Sequence, residues 1–371
     1  MQQDRAVENG LGITFEEHDR AGVITLDRPG RLNALSREMF EALSAQYRRW
    51  GPAAHIYGVV MQSTHPSVFS SGGDLKVLHE YLKVLHEWGE QGALESLRAF
   101  YRTAYTHVWV LENFIRPNVP LMNGLVLGGG IGITLFGTHR VAGENFRMAM
   151  PQVGIGFIPD IGGTFFLPRL LGVTGLYLAL TGRSIGPADA YRLGLVTHCI
   201  PSAYFHVIKD ALADNQPIDR LLDGLHREPG EGELVRFTPA INRAFMAGSV
   251  EEILARLDAE RGEDEDWARE TAAELRQKSP TSLKIAFRQT QLGKSLDLRE
   301  ALRLEYRLAS NLVATHDFGE GVGARIAGKG RTPIWEPATL EGVDDAEIDR
   351  FFAHPAGEGG DLELEERRLG T

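Results

Sequence analysis

Three glycine- and proline-rich segments of the sequence carry the residue types that carbonyl chemistry requires. They are residues 69–76 (FSSGGDLK), 123–132 (NGLVLGGGIG) and 148–168 (MAMPQVGIGFIPDIGGTFFLP). Glycine turns in the first two segments leave backbone N–H groups accessible, because no side chain blocks a close approach. The third segment contains a single acid, Asp160, among apolar residues, and burial would raise the pKa of this carboxyl towards that of a useful base.

Two backbone N–H groups that converge on one point form an oxyanion hole, which stabilises negative charge as it develops on a carbonyl oxygen. The second segment is predicted to turn into a helix after its glycines, and the helix dipole would then strengthen it as an anion site. For either glycine segment alone, the alternative is that glycine only permits tight packing. For Asp160, the alternative is a turn residue that caps N–H groups near Gly162 and Gly163.

The elements that must position these segments can be predicted from hydrophobic periodicity. Ser36 caps an amphipathic helix that runs to about Trp50, and a short apolar run over residues 56–61 predicts a strand buried on both faces. The other predicted elements are strands over residues 12–17, 22–27, 139–142, 146–149 and 196–200 and a helix over residues 94–113.

This order of elements predicts an α/β protein in two parts. Residues 1–200 form the core, and residues 201–350, which are helical and more charged, form a region that could pack back upon it. Residues 351–371 form an acidic, glycine-rich tail that we expect to be flexible. The net charge of −11 is concentrated at this end, since residues 341–371 account for −7 of it.

Length and composition exclude several other classes of protein. The chain has 371 residues, of which 43% are hydrophobic and 24% are charged, as in globular proteins. Its acidic charge balance disfavours nucleic-acid binding. A single cysteine, Cys199, can form neither an internal disulfide nor a cysteine-based zinc site, and we predict no metal site.

No membrane association is predicted. Residues 117–138 carry no charge and are long enough to span a bilayer, but their six glycines and two prolines are typical of a buried turn. The polar residues 1–10 lack the apolar segment of a secretory signal. Together with the single cysteine, this indicates a reducing, cytoplasmic location.

Two short motif matches are interpreted as chance. Residues 182–186 (GRSIG) match the nucleophile elbow of serine hydrolases, but helix-like sequence precedes the serine where a buried strand is required. Residues 323–329 (GARIAGK) match the start of a phosphate-binding loop, but Gly330 stands where a Ser or Thr must ligate magnesium. Neither a serine hydrolase nor a nucleoside triphosphatase is therefore predicted.

From residue 23 to about residue 196, the order and spacing of the three segments resemble those of the crotonase (enoyl-CoA hydratase/isomerase) superfamily. The resemblance implies a core built as a spiral of β-β-α turns, with an acyl-CoA substrate lying across it. It places the oxyanion donors at the N–H groups of Gly73 and Gly129. It implies substrate contacts at Gly72, Arg31, Leu75, Phe157 and Lys284, with residues 28–35 bordering the CoA nucleotide and Lys284 reaching its phosphates.

The same resemblance bears on cofactors and partners. No cofactor is expected apart from the coenzyme A that forms part of the substrate. Members of the superfamily often form trimers, which makes a homo-oligomer one expectation. The longer C-terminal region could instead fill that contact from within one chain, so the oligomeric state stays open.

Within the superfamily the chain most resembles the 3-hydroxyisobutyryl-CoA hydrolases, which act in valine catabolism. The likeness includes residues 149–151 (AMP), 155–163 (IGFIPDIGG) and 166–170 (FLPRL), then 278–284 (KSPTSLK), 305–308 (EYRL) and 316–321 (HDFGEG). It extends to about residue 350. The length fits as well, since simple hydratases are considerably shorter.

The sequence departs from the family pattern at the residues that supply acids. Hydratases of the family use two glutamates, and here Gly132 and Gln152 stand at those positions, so hydratase activity is not expected. The hydrolase subgroup is expected to carry a glutamate at Gln152 together with Asp160. It is also expected to carry an acid near residues 101–105, where this chain has none.

We therefore expect an acyl-CoA thioester hydrolase in which Asp160 activates water that the Gln152 amide holds. One alternative is an enoyl-CoA isomerase, in which Asp160 alone moves a proton between two carbons. A second alternative is a protein that binds CoA esters and is catalytically weak. The effect of Gln152→Glu on hydrolysis discriminates among these possibilities.

Overall fold

The computed structural model describes residues 10–88, 91–328, 330–355 and 360–366. Within these ranges the chain forms nine strands and sixteen α-helices. The strands are β1 (Ile13–His18), β2 (Ala21–Leu26), β3 (Gly58–Ser63), β4 (Val68–Ser70), β5 (Asn118–Met122), β6 (Leu125–Leu127), β7 (Val141–Ala142), β8 (Arg147–Ala149) and β9 (His198–Cys199). The helices are α1 (Arg37–Trp50), α2 (Leu75–Trp88), α3 (Gln91–Glu112), α4 (Gly129–Gly132), α5 (Gly163–Phe166), α6 (Thr174–Thr181), α7 (Pro187–Arg192), α8 (Phe205–Ala213), α9 (Ile218–Leu225), α10 (Glu233–Phe245), α11 (Val250–Ala259), α12 (Glu265–Leu275), α13 (Pro280–Gly293), α14 (Leu298–Leu312), α15 (His316–Ala327) and α16 (Asp345–Phe352).

The strands form two sheets that the chain enters alternately. Six strands lie in the order β1-β2-β3-β5-β7-β9 and three in the order β4-β6-β8. β1 and β2 are antiparallel, and the other pairings within the two sheets are parallel. The pairs β3–β4, β5–β6 and β7–β8 each place one strand in the larger sheet and the next in the smaller sheet, before a helical segment follows. This repeated step is the β-β-α spiral that the resemblance implies.

Close packing of the two sheets explains the glycine content of the uncharged segment 117–138. All five residues of β5 are buried, and the chain turns into β6 at Gly124, which has a φ of 108°. A Cβ at Gly124 would lie 2.5 Å from the carbonyl carbon of Ser67, so a larger residue does not fit. The segment forms β5, a tight turn, β6 and α4. The described residues contain no helix long and apolar enough to cross a bilayer.

Most predicted elements are confirmed, with ends displaced by a few residues. α1 lies where the sequence predicts it, and Ser36 caps it by accepting a hydrogen bond from the N–H of Met39 at 3.3 Å. Glu38 in the first turn and Arg49 in the last turn complement the helix dipole. The helix predicted over 94–113 is α3, and the three short strands predicted after residue 138 are β7, β8 and β9.

Neither chance motif has the structure that its chemistry requires. The residues before Ser184 form α6 and not a strand, which removes the basis of a nucleophile elbow. Residues 323–327 belong to α15 and not to a loop. Lys329, the last residue of that second match, lies outside the described residues.

The helices after residue 200 pack against the α/β core. α14 packs on α3 and α5, and α13 packs on α6. One contiguous hydrophobic cluster includes described residues from Ile13 to Leu364, and a smaller cluster joins the large sheet to α8 and α9. The C-terminal region therefore shares its core with the spiral.

The expectation of a flexible tail is wrong for residues 360–366. Leu362 and Leu364 are buried, and Asp361 forms an ion pair with Arg307 of α14 at 2.5 Å. The prediction considered only the acidic composition. In the structure the acids alternate with leucines, and the leucines pack inward. Backbone carbonyl groups of the segment also accept hydrogen bonds from side chains of α3 and α14.

Candidate active site

A cavity of about 340 Å³ lies where α2 and α3 meet the glycine turns. Its walls are largely apolar, and the lining includes polar groups from the three segments that the sequence singles out. Seven predicted site residues line it: Gly72, Gly73, Leu75, Gly129, Gln152, Phe157 and Asp160. Two other predicted site residues, Arg31 and Lys284, lie outside its walls.

The two glycine turns place the amide nitrogens of Gly73 and Gly129 beside each other. A Cβ on Gly129 would lie 3.2 Å from the nitrogen of Gly73, and a Cβ on Gly72 would lie 3.3 Å from the nitrogen of Gly129. Gly129 begins α4, where a helix N–H has no acceptor within the helix. Neither of the two N–H groups has an acceptor among the residues that the structure describes. Two such donors can stabilise a carbonyl oxygen that gains negative charge.

Two ion pairs and two backbone hydrogen bonds hold the first glycine turn in place. The N–H of Leu35 donates to the carbonyl of Gly72 at 2.8 Å, and the carbonyl of Leu35 accepts from the N–H of Asp74 at 2.9 Å. The buried Asp74 carboxylate lies 2.7 Å from Arg28 and 3.6 Å from Arg31. Arg31 thus faces this carboxylate at the edge of the turn, and its contact with a substrate stays a prediction.

Asp160 lies buried at the cavity wall and accepts hydrogen bonds from two side chains. The Tyr105 hydroxyl donates to Oδ2 at 2.7 Å, and Gln152 Nε2 donates to Oδ1 at 3.0 Å. Burial raises the pKa of Asp160 to about 6, although the two hydrogen bonds favour the ionised form and oppose this rise. At neutral pH the carboxylate is therefore mostly ionised, and it is a stronger base than an exposed aspartate.

The Gln152 amide offers a hydrogen-bond acceptor to the cavity. Its NH2 end faces Asp160, because a carboxylate attracts a donor and repels a carbonyl oxygen. Its Oε1 is buried and has no partner within the described ranges. Since an unsatisfied buried acceptor costs free energy, a water or ligand that donates an O–H or N–H would be stabilised there.

Tyr105, the second donor to Asp160, was not predicted from the sequence. Tyr105 lies on α3, four residues after Tyr101, whose ring stacks on that of Phe157 with the centroids 4.9 Å apart. Residues three and four apart share a helix face, and Ala104 on this face lines the cavity. The spacing of the two tyrosines was the available signal. Sequence spacing alone does not show that these tyrosines lie close to Asp160, because tertiary packing brings them together.

Ile161 fills the space that a side chain at residue 132 would need. A Cβ on Gly132 would lie 1.9 Å from Cγ1 of Ile161, far inside contact distance. A glutamate of the hydratase pattern therefore does not fit here unless the turn that carries Asp160 moves. This packing agrees with the expectation, drawn from Gly132 and the neutral Gln152, that hydration is not the reaction.

Lys284 is a predicted site residue that the structure places elsewhere. Its ammonium group lies 3.0 Å from the carboxylate of Glu251 and 3.2 Å from the carbonyl oxygen of Val343. Because this cation is already paired inside the C-terminal region, the structure does not support its predicted contact with CoA phosphates. Two other cationic residues, Lys278 and Arg325, line the cavity instead.

Clusters of metal-ligand residues and the one cysteine are two further features to compare with the cavity. Across the described residues no three His, Cys, Asp or Glu side chains come close enough together to hold a metal ion. Burial raises the pKa of the Cys199 thiol to about 11, so it remains protonated at neutral pH. The carboxylate of Asp160 is thus the candidate for acid–base chemistry in the cavity.

The spiral and its glycine-lined cavity define an enzyme of the crotonase class, and the comparison with known families agrees. The chain belongs to the enoyl-CoA hydratase/isomerase family, whose model matches residues 21–352. Among solved structures, a carnitinyl-CoA dehydratase from Mycobacterium thermoresistibile superposes with a TM-score of 0.87. It is 30% identical, and the match covers 96% of this chain and 99% of that one. These findings confirm the predicted fold and superfamily.

Two similar curated proteins have the same name. The mitochondrial 3-hydroxyisobutyryl-CoA hydrolase of Danio rerio is 37% identical, over 93% of this chain and 90% of that protein. The protein of the same name from Rattus norvegicus is 35% identical, over 92% of this chain and 88% of that protein. The predicted resemblance to this hydrolase subgroup is therefore confirmed.

Proposed function

We propose that the protein is an acyl-CoA thioester hydrolase whose base is Asp160. The observation that carries this proposal is a buried carboxylate, with a pKa of about 6, in the same cavity as two N–H groups that have no acceptor among the described residues. The names of the two relatives support hydrolysis as the reaction and 3-hydroxyisobutyryl-CoA as the substrate. With that substrate the enzyme would serve valine degradation.

In this proposal the thioester carbonyl oxygen accepts hydrogen bonds from the N–H groups of Gly73 and Gly129. Attack on the carbonyl carbon moves negative charge onto that oxygen, and both donors stabilise the charge. In comparable sites the loss of one donor costs about 2.7–4 kcal/mol of transition-state stabilisation. The glycines are needed because a side chain on either turn would occupy the place of the oxygen.

The same proposal assigns the proton transfers to Asp160. Asp160 takes one proton from the attacking water, and Oε1 of Gln152 accepts a hydrogen bond from the other hydrogen. Each Asp160 oxygen already accepts one hydrogen bond and keeps a second lone pair for the water. As the carbon–sulfur bond breaks, the protonated Asp160 returns its proton to the departing thiolate, which leaves as the CoA thiol. One carboxyl group therefore serves as base and then as acid.

Release of CoA thiol from a panel of short acyl-CoAs, with 3-hydroxyisobutyryl-CoA among them, tests the proposal. We expect steady turnover that Asp160→Asn lowers by about 10²- to 10⁴-fold. Thiol release that is absent while calorimetry still records acyl-CoA binding would contradict a hydrolase. An isomerase that uses Asp160 alone, or a protein that binds CoA esters with weak catalysis, would then be the better proposal.

Further features of the proposed enzyme remain predictions. No cofactor is proposed apart from the coenzyme A within the substrate, and Lys278 and Arg325 replace Lys284 as candidates for its phosphates. A homo-oligomer and a cytoplasmic location also stay predictions. The two relatives are named as mitochondrial proteins.

A further inference from the structure

The turn that carries Asp160 has a backbone conformation that its surroundings must hold. Ile161 has a φ of 55°, in the left-handed region that β-branched residues rarely adopt. Such a conformation persists only where neighbouring groups over-determine it. Because the Ile161 side chain packs against Gly132, relaxation of this turn would move both Ile161 and Asp160 from their present positions.

Glu305 of α14 holds the chain immediately after Ile161. Its Oε2 accepts a hydrogen bond from the N–H of Gly162, and its Oε1 accepts one from the N–H of Thr164, both at 2.8 Å. The side chain is completely buried. Burial and the charge of Asp160 raise the pKa of Glu305 to about 8. Placing a carboxyl here costs free energy that an apolar side chain would avoid.

Gln289 of α13 holds the same turn from a second direction. Its Nε2 donates to the carbonyl oxygen of Pro159 at 2.8 Å and to the hydroxyl of Thr164 at 2.6 Å. Hydrogen bonds from two helices of the C-terminal region therefore reach the chain on both sides of Asp160. Neither Gln289 nor Glu305 lines the cavity, so neither touches a substrate there.

We propose that Glu305 is a positioning residue for Asp160. It acts through the backbone N–H groups of the turn, which it keeps in the conformation where the Asp160 carboxylate meets its two donors, Tyr105 and Gln152. The C-terminal helices thus supply a group on which the chemistry depends without contacting the substrate. The kinetic test of this inference rests on the proposed function, because it measures thiol release. The spectroscopic test does not, because it needs no turnover.

The kinetic test is Glu305→Gln, which keeps the side-chain volume but turns an NH2 group towards a backbone N–H. We expect kcat for thiol release to fall about 10- to 100-fold, since a small misplacement of a base has that effect. We expect KM to stay within about twofold, because the substrate contacts remain. The acid limb of the pH profile moves to higher pH, since Asp160 loses hydrogen bonds that favour its ionised form.

Other titratable groups near Asp160 do not contribute to the shift of the acid limb. Burial raises the pKa of Tyr101 and of Tyr105 well above the usual tyrosine value, so both stay neutral. Glu305 itself, with a pKa of about 8, stays neutral while Asp160 titrates. A shift in the acid limb therefore reports the hydrogen bonds to Asp160 and not the loss of a charge at residue 305.

Asp189→Asn is the matched control. Asp189 is also buried and also accepts two backbone hydrogen bonds, from the N–H groups of Glu233 at 3.1 Å and Leu234 at 3.0 Å. It lies on α7 and does not line the cavity. We expect it to lower thermal stability as Glu305→Gln does, with kcat and the pH profile unchanged. If Glu305→Gln matches Asp189→Asn in rate and pH profile, the proposal is overturned.

A ¹³C NMR titration of the Asp160 carboxyl, assigned by its absence in Asp160→Asn, needs no turnover. We expect a pKa of about 6 in the natural chain and a higher pKa in Glu305→Gln. Equal pKa values overturn the proposal, whether or not the protein hydrolyses thioesters. If Glu305→Gln does not fold, Gln289→Met decides: removing this second set of hydrogen bonds also raises the Asp160 pKa, and an unchanged pKa overturns the proposal.

Discussion

In the proposed reaction a single carboxylate, that of Asp160, carries the acid–base chemistry, and the residues around it set its pKa. Tyr105 and Gln152 each donate a hydrogen bond to one oxygen of Asp160. Both bonds favour the ionised form while burial disfavours it, so the pKa of about 6 results from two opposing effects. Because Gln152 carries no charge, Asp160 does not share a proton with a second acid, as paired carboxylates do.

Gln152→Glu is expected to raise the pH at which activity appears. The new carboxyl would lie about as close to Asp160 as the amide does, at 3.0 Å, and two carboxylates at this distance do not both ionise readily. Thiol release measured against pH reports the shift, with the exposed Gln291→Glu as the charge control. An unchanged pH profile of thiol release would contradict the close contact between residues 152 and 160. Turnover that rises by several orders of magnitude at unchanged affinity would mean that the natural chain is impaired for hydrolysis.

Gly129→Ala is expected to lower kcat by about 10²- to 10³-fold. The added methyl group would lie 3.2 Å from the Gly73 nitrogen, in the space that the proposal gives to the carbonyl oxygen. Gly92→Ala in α3 is the matched control, since a Cβ there meets nothing within 4 Å. Steady-state kinetics on both variants makes the comparison, and equal turnover would show that the substrate carbonyl does not bind at this turn.

Single residues differ in how far the sequence could predict them. The glycine turns and Asp160 were predictable because their signals lie within a few residues of chain. Tyr105, which is 55 residues from Asp160, and Glu305, which is 143 residues from Gly162, meet the site only through tertiary packing. The ion pair of Lys284 with Glu251 on another helix was not predictable for the same reason, and its contact with CoA phosphates stays a prediction.

Helices α3 and α14 carry side chains that hold the turn and the carboxylate of Asp160. α3 carries Tyr105, α14 carries Glu305, and the two helices pack against each other. Residues 360–366 lie across both, since their backbone carbonyl groups accept hydrogen bonds from Trp109 of α3 and Arg303 of α14. This C-terminal segment therefore ties together the elements that hold the Asp160 carboxylate.

Leu362→Ala is expected to lower the free energy of unfolding by about 2 kcal/mol, near the lower end of the range for buried leucines. The Leu362 side chain is 1% exposed. Urea unfolding measures the difference. The exposed neighbour Glu363→Ala should stay within about 0.5 kcal/mol of the natural chain. Equal midpoints for the two variants would contradict the packed position of this segment.

Helices and strands were predictable wherever periodicity and caps coincide, as at α1 with Ser36. The packing of residues 360–366 was not, because the two leucines are separated by acids and form no long periodic pattern. Charge patterning alone favours a solvated tail there. The arginines of α14 that neutralise and bind the segment lie more than fifty residues away.

In the whole molecule, most residues that line the cavity lie in the first 200 residues, and the helices that follow support them. The β-β-α spiral brings the three chemistry-bearing segments to one cavity. Helices α13 and α14 then reach back to the turn that carries Asp160. The spiral could be predicted from the family resemblance of local motifs. The contacts of the C-terminal helices could not, since they join residues far apart in the chain.

The pH dependence of CoA-thiol release from 3-hydroxyisobutyryl-CoA tests the role of Asp160 most directly. A base works only when ionised, so kcat should rise about tenfold per pH unit below the Asp160 pKa and level off above it. We predict a midpoint at about pH 6 in the natural chain and loss of turnover in Asp160→Asn, with Asp189→Asn unchanged. A rate that is independent of pH between about 5 and 7, or one that survives Asp160→Asn, would contradict a hydrolase that works through this carboxylate.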